Sequence, residues 1–255
     1  MSILDDQRIA AGIVTDVLLE LKELTKPGVS LDMLDELAER MIRERGGTPY
    51  SKGYHPSWAP EPYPSTLCTS VDMEVCHAPP AGRTLQAGSI VKYDLGVKYK
   101  SGCGDAALTV AVGEISNRQE RTMRYGLRAL YAGIGAVRAG APISAIGEAI
   151  SHFCLVHGYT VIREYGGHHI GADMHEAPHI PHVPYKEDES VFLKEGAVIC
   201  IEPMITPGKG KVRVWKDGWT AYVEDGQPVV MFEHQLLVTK DGCEILTKHL
   251  DAPSL

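Results

Sequence analysis

Leu85-Gln-Ala-Gly88-Ser-Ile-Val-Lys-Tyr-Asp94 and Leu193-Lys-Glu-Gly196-Ala-Val-Ile-Cys-Ile-Glu202 align without a gap at an offset of 108 residues. Each is a strand-like run, rich in β-branched residues, that ends in a carboxylate. Asp94 and Glu202 therefore hold equivalent positions in two copies of one unit. Downstream, Asp105-Ala-Ala-Leu108-Thr-Val110 resembles Glu233-His-Gln-Leu236-Leu-Val238, with about 20 extra residues of hairpin in the second copy. More weakly, Val75-Cys-His77 resembles Asp173-Met-His175, each shortly before its carboxylate strand.

Upstream of each strand the pattern is helical. Leu31, Leu34, Leu37, Met41 and Ile42 recur at helical spacing after the Pro27-Gly28 turn, with Ser30 as N-cap and Gly46-Gly47 as the stop. The layout returns 112 residues later, where Gly140, Ile143, Ile146, Glu148, Gly158 and Thr160 repeat Gly28, Leu31, Leu34, Glu36, Gly46 and Thr48. Earlier helical segments at about 3–24 and 117–138 complete a helix pair in each half. The expectation is an α/β (α+β) chain. Its two pseudo-symmetric helix-pair-plus-hairpin halves, about 1–115 and 116–250, share one mixed curved sheet, with Asp94, Asp105, Glu202 and Glu233 converging at the seam.

Composition narrows the function classes. At 255 residues the chain can bury a sizeable core without staples. No run approaches the roughly 18 apolar residues of a membrane span. Asp5 and Asp6 stand where a signal peptide carries basic residues. Cys68, Cys76, Cys103, Cys154, Cys200 and Cys243 are scattered without a C-x-x-C pair, which fits reduced thiols and a cytoplasmic location. A net charge of −8 lacks the basic footprint of a nucleic-acid binder. Neither a membrane nor a nucleic-acid partner is expected, and a monomer is the default.

Asp94 and Asp105 bracket a glycine-bearing stretch, Leu95 to Gly104, whose glycines favour a turn, so a hairpin would face both acids one way. Gly167-His168-His169-Ile-Gly171-Ala-Asp-Met-His175 adds imidazoles. Carboxylates packed inside a sheet repel one another and need cations to offset their desolvation. Four carboxylates with one neutral imidazole make a hard, oxygen-rich set suited to two divalent ions, Mn, Fe(II) or Co, rather than a thiolate-rich structural zinc.

These residues, in unbroken order, resemble type I methionine aminopeptidases of the pita-bread metallopeptidase superfamily. The likeness runs through Ser70-Val-Asp-Met-Glu-Val-Cys-His77, Tyr93-Asp94-Leu-Gly with Asp105, Gly167-His168 with His175-Glu-Ala-Pro178, Ile201-Glu202-Pro-Met204, Lys216-Asp-Gly-Trp219-Thr, Phe232-Glu233-His234, and Asp241-Gly-Cys-Glu-Ile-Leu-Thr247. The resemblance implies a single catalytic pita-bread domain over 1–255. It implies metal ligands Asp94, Asp105, His168, Glu202 and Glu233, with Asp105 and Glu233 bridging two ions. Glu202 would shuttle the proton, His175 would face the scissile carbonyl, and His77 would face the amide nitrogen. Tyr63, Cys68, Met174 and Trp219 would wall the methionine pocket. The implied reaction is removal of N-terminal methionine from peptides and nascent polypeptides, preferring a small second residue.

Departures fall near specificity. Met174 stands where the family usually has Phe, His169 replaces Gly, Asp72 replaces Asn near the second metal, and Ala78-Pro79-Pro80 replaces Gly-Ile-Pro. His55, His152, His157, His179, His182 and His249 are read as solvated or hydrogen-bonded structural histidines. His234 is expected to point away from Glu233 and support it. One alternative is an Xaa-Pro aminopeptidase or dipeptidase of the same fold, suggested by Gly171-Ala-Asp-Met-His175-Glu. Against it stands Glu233-His234 in place of Arg-x-Glu-Asp. A non-catalytic peptide-binding module of this fold is the reading from another class. Only 27 residues separate His175 from Glu202, which excludes the long insertion of type II enzymes. Contact with the ribosome is expected to be transient at most, without docking through an N-terminal extension.

Overall fold

The computed structural model describes residues 2–251; the side chains of His249 and Asp251 lie outside that description. In chain order the elements are α1 (Ile3–Leu24), α2 (Leu31–Glu44), β1 (Thr48–Pro49), β2 (Cys68–Val71), β3 (Ile90–Tyr99) and β4 (Gly102–Ala111). There follow α3 (Asn117–Ile134), α4 (Ser144–Val156), β5 (Thr160–Val161), β6 (Gly167–His169), β7 (Glu176–Ile180) and β8 (Val198–Ile201). The chain finishes with β9 (Met204–Thr206), β10 (Val212–Val214), β11 (Ala221–Val223), β12 (Val230–Met231), β13 (His234–Val238) and β14 (Cys243–Ile245). Among the described residues no helix is long and apolar enough to cross a membrane.

Local chemistry starts the helices where the sequence predicts. Ser2 and Asp5 form a reciprocal capping box on α1, and Ser116 and Gln119 form one on α3. Ser30 caps α2 through the Met33 amide. The expected third helix ends at Ile134 rather than near residue 138, because the poor helix former Gly135 serves as its C-cap.

The duplication is written in the backbone. Gly28 donates to the Leu85 carbonyl and Leu85 to Val29; in the second half Gly140 donates to Leu193 and Leu193 to Ala141. Gly88 donates to Val112 as Gly196 donates to Val238. Gly88 and Gly196 have φ of +89° and +83°, a turn that a residue with a Cβ enters only under strain.

Every strand pairing among the described residues is antiparallel. Where one mixed sheet was expected, the strands form separate ladders. Strands β1, β3 and β2 make one in that order with β4 on β3, and β14-β13-β8-β6-β7 make the other large one. The reason is that each half is built from hairpins rather than parallel crossovers. The two ladders meet where β4 lies beside β13. There the Glu233 amide donates to the Ala107 carbonyl, the Asp105 amide to Gln235 Oε1, and Thr109 exchanges hydrogen bonds with Met231.

Each half has its own core. Helices α1 and α2 pack Val14, Leu18, Leu34 and Ile42 on Val91, Tyr93 and Leu95 of β3. Helices α3 and α4 pack Leu130, Ile146 and Ile150 on Ile199, Ile201 and Leu236. The glycines between Asp94 and Asp105 are not the turn that the sequence suggests. The turn is Lys100-Ser101, with Lys100 at φ +48°, while Gly104 lies inside β4 against α1. A Cβ at Gly104 would come within 2.5 Å of the Ala10 and Ala11 backbone, so its bare Cα sets the helix-to-strand spacing. At the seam, the buried ammonium of Lys92 donates to the carbonyls of Asp72 and Val229, at 3.1 and 2.8 Å.

Candidate metal centre and active site

Strand alternation aims the acids. Asp94 pairs with Ala107 and Gly96 with Asp105, so Asp94, Gly96 and Asp105 share one face of the β3–β4 hairpin, as expected. In the second half Glu202 follows β8, and His168 on β6 pairs with Cys200 of β8. The register His234↔Ile201 continues to put Glu233 opposite Glu202. This corrects the strict equivalence of Asp105 with Glu233, because the residue opposite Asp94 is Ala107 and Asp105 lies two residues before it. A two-residue slip preserves the face, so both acids still point into the seam.

The four carboxylates and His168 meet there. His168 Nε2 lies 3.5 Å from Asp105 Oδ2 and 3.7 Å from Glu202 Oε1. Its Nδ1 is 3.1 Å from the His169 carbonyl, an arrangement that leaves Nε2 free to face the acids. Ligand atoms of Asp105, His168, Cys200 and Glu233 lie within 4.8 Å of one another. Burial, reinforced by neighbouring acids, holds Asp94, Glu202 and Glu233 well above the ordinary carboxylate range. Burial lifts Asp105 to about 7 and lowers His168 to about 4. Asp105 Oδ1 and Glu233 Oε1 are buried without a hydrogen-bond partner in the protein. Oxygens of that kind, beside a neutral imidazole, fit divalent cations.

A cavity of about 940 Å³ opens onto this set, and Tyr63, Cys68, His77, Met174, His175 and Trp219 all line it. The His175 ring stands 4.6 Å from that of His168, and His77 meets the Tyr165 ring edge-on at 5.4 Å. His77 has φ +59°, a strained conformation for a non-glycine residue. Tyr63 and Trp219 pack edge-to-face at 5.0 Å, and the Trp219 indole donates to the Glu61 carbonyl. A Cβ at Gly96 would come within 2.5 Å of Met174 Cε, so that glycine makes room for the thioether.

Several residues have partners that the sequence does not specify. Asp72 lines a separate cavity of about 490 Å³ and accepts hydrogen bonds from the Ser89 hydroxyl and the Ile90 amide. His179 lines the main cavity. His182 is buried, and its Nε2 accepts the amide hydrogens of both Gly167 and Glu202, each at 3.1 Å. It thus ties the strand carrying His168 to the residue that ends β8, and only a Gly167–Glu202 neighbourhood that exists in three dimensions reveals it. Cys200 was legible in principle, since it stands two residues before Glu202 and so on its face. His169 bonds the Pro178 carbonyl, and His234 bonds Thr247 Oγ1 beneath the site, pointing away from it.

The profile of metallopeptidase family M24 matches residues 5–240, a span that contains all five candidate ligands. The chain belongs to metallopeptidase family M24. Methionine aminopeptidase 1 of Bacillus subtilis (strain 168) is 36% identical over 241 residues, 94% of each chain. The crystal structure of methionine aminopeptidase from Rickettsia prowazekii superposes with a TM-score of 0.90 at 32% identity, over 96% of both chains. Xaa-Pro dipeptidase from Bacillus anthracis shares the fold, with a TM-score of 0.76 at 23% identity; the match covers 99% of this chain but 61% of that one. This M24 protein is thus a metallo-aminopeptidase, a hydrolase with the pita-bread fold.

Proposed function

We propose that the enzyme removes N-terminal methionine from peptides and nascent polypeptides, best before a small second residue. In this reading Asp94, Asp105, His168, Glu202 and Glu233 hold two divalent ions, Mn, Fe(II) or Co. The observation that carries it is the pair of orphaned buried oxygens on Asp105 and Glu233, set in a cavity walled by Tyr63, Cys68, Met174 and Trp219. When bound, the ions supply Lewis acidity for the scissile carbonyl and a water nucleophile at neutral pH.

The chain's own groups do the rest. Glu202 accepts the proton of the attacking water and returns it to the leaving amine, a task suited to a carboxylate whose proton affinity burial has raised. Burial lowers His77 and His175 to about 4, so both are neutral at physiological pH. A neutral imidazole donates through one ring nitrogen and accepts through the other, so His175 can donate an N–H to the carbonyl oxygen while His77 accepts the N–H of the scissile amide. Met174 lends a polarizable sulfur and the aromatic pair a flat wall, which suits an unbranched thioether side chain. Residues 1–255 act as one catalytic domain, a cytoplasmic monomer that meets nascent chains and contacts the ribosome only transiently. Six free cysteines support that compartment.

A hydrolysis panel on the Mn- or Co-reconstituted enzyme tests the reading. Met-Ala-Ser should exceed Leu-Ala-Ser and Ala-Pro at least tenfold in kcat/KM, and N-acetylated Met-Ala-Ser should resist cleavage. A preference for Ala-Pro assigns the chain to proline-directed chemistry instead. Equal cleavage of the acetylated peptide overturns the exopeptidase mechanism, and a protein that takes up no metal and cleaves nothing is a binding module.

A further inference from the structure

The geometry points to Cys200 as a sulfur donor in the metal centre, beyond the five oxygen and nitrogen ligands. The inference rests on the metallopeptidase reading and adds to it. Cys200 is fully buried on β8, and its Cα partners are His168 on one side and Gln235 on the other. Strand alternation puts it on the same face as Glu202. Its Sγ lies within 4.8 Å of ligand atoms of Asp105, His168 and Glu233. The second, independent observation concerns those same neighbours. Asp105 and Glu233 are 6% and 2% exposed, and each carries one buried oxygen without a hydrogen-bond partner, while both carboxylates belong to the cluster that includes the Cys200 sulfur.

Cys200 packs with Cys103, Ile170, Met174 and Val198 in a small apolar cluster, yet its sulfur also stands beside two buried acids that a cation must neutralise, within reach of any ion held between Asp105 and Glu233. When a divalent ion binds, the S–H bond breaks, its proton passes to bulk water, and the thiolate forms a sulfur–metal bond. One positive charge is thereby balanced. A soft donor in an otherwise hard set raises affinity for thiophilic ions such as Zn, Cd and Co over Mn. Cys200 would thus tune which metal the enzyme retains, without touching the substrate.

X-ray absorption on the full-length chain loaded with Zn provides the test. The expected result is a sulfur shell at about 2.3 Å beside nitrogen and oxygen at about 2.0–2.2 Å. The Co-loaded protein should show sulfur-to-cobalt charge transfer in the near ultraviolet. Both signals should vanish in Cys200→Ser, with Cd and Zn affinity falling about tenfold or more and Mn affinity nearly constant. A wild-type spectrum with bound metal and only nitrogen and oxygen neighbours overturns the assignment while leaving the metallopeptidase reading intact. So does a sulfur signal that survives in Cys200→Ser. Failure of the wild-type chain to bind Zn or Co overturns both. Should the variant not fold, the wild-type spectrum still decides.

Discussion

Lys92 and Cys200 occupy the same place in the two halves, each two residues before the aligned acid, Asp94 or Glu202; Glu202 stands just past β8 as the sequence suggests, whereas β3 runs on through Asp94 to Tyr99. Their surroundings differ completely. The Lys92 ammonium is aimed at backbone carbonyls of Asp72 and Val229 and stitches the halves together, whereas Cys200 faces His168 and Glu233. The carrier strands differ too. Strands β3 and β4 form an uninterrupted ladder of ten pairs, while β8 and β13 are separated by the excursion through β9–β12 that brings Val214 and Trp219 over the cavity. A duplicated backbone supplies the frame, and the neighbour each copy meets decides what an equivalent residue does. At this one position the first half holds the seam and the second meets the site, although both halves supply acids to the centre.

The sharpest way to break the comparison is to disable one acid from each half. Glu202→Gln and Asp94→Asn should each lower kcat by about 10²–10⁴ while leaving the far-ultraviolet circular dichroism unchanged. Near-normal turnover of either would show that the halves do not share one centre.

Metal removal should expose the cost of the acidic seam. In the metal-free chain Asp105 titrates at about 7 against an ordinary 3.8, so between those values the folded state holds more protons and stability falls as pH rises. The buried imidazoles of His77, His168 and His175, lowered to about 4, and His182, lowered to about 3, act oppositely below about 6.5, where unfolded histidines protonate. Above that pH only the carboxylate effect remains. The gap in Tm between Mn-loaded and metal-free protein should therefore widen from pH 6.5 to 8, and thermal scans at constant ionic strength read it directly.

His182→Phe removes the acceptor shared by the Gly167 and Glu202 amides, and should weaken metal binding about 10–100-fold by isothermal titration. His182→Gln, which offers an oxygen at comparable reach, should recover most of that loss; equal loss in both variants would assign His182 to packing. Lys92→Met tests the other half of the contrast. It should lower unfolding free energy in urea by about 1–3 kcal/mol, chiefly because the Val229 carbonyl loses its buried donor, with metal affinity little changed. Arg8→Ala should have the smallest effect, under about 1 kcal/mol by the same measurement, because its pair with Glu244 is solvent-exposed.

Helix pairs, caps and hairpins were legible because they depend on local spacing. Ser30, Ser116 and the Gly88/Gly196 pair act within a few residues of themselves. The acids could be assigned to one face because alternation along a strand survives even a two-residue error in register. Glycines 102 and 104 misled for the same reason in reverse. A local reading sees a flexible stretch, while the constraint is a helix lying across it from the start of the chain. Asp72, just past β2, likewise turns to the start of the neighbouring strand β3 through Ser89 and Ile90.

By itself the sequence determined the duplicated unit, the antiparallel hairpins and the identity of the aligned acids Asp94 and Glu202, since periodicity and turn chemistry are properties of neighbouring residues. Only the tertiary structure decided which face of His182 meets the Glu202 amide, that Lys92 guards the seam while Cys200 enters the cluster, and which oxygens of Asp105 and Glu233 are left without partners. Those are facts about burial and contact between segments 15 to 137 residues apart, and desolvation is felt only once such segments have closed on one another.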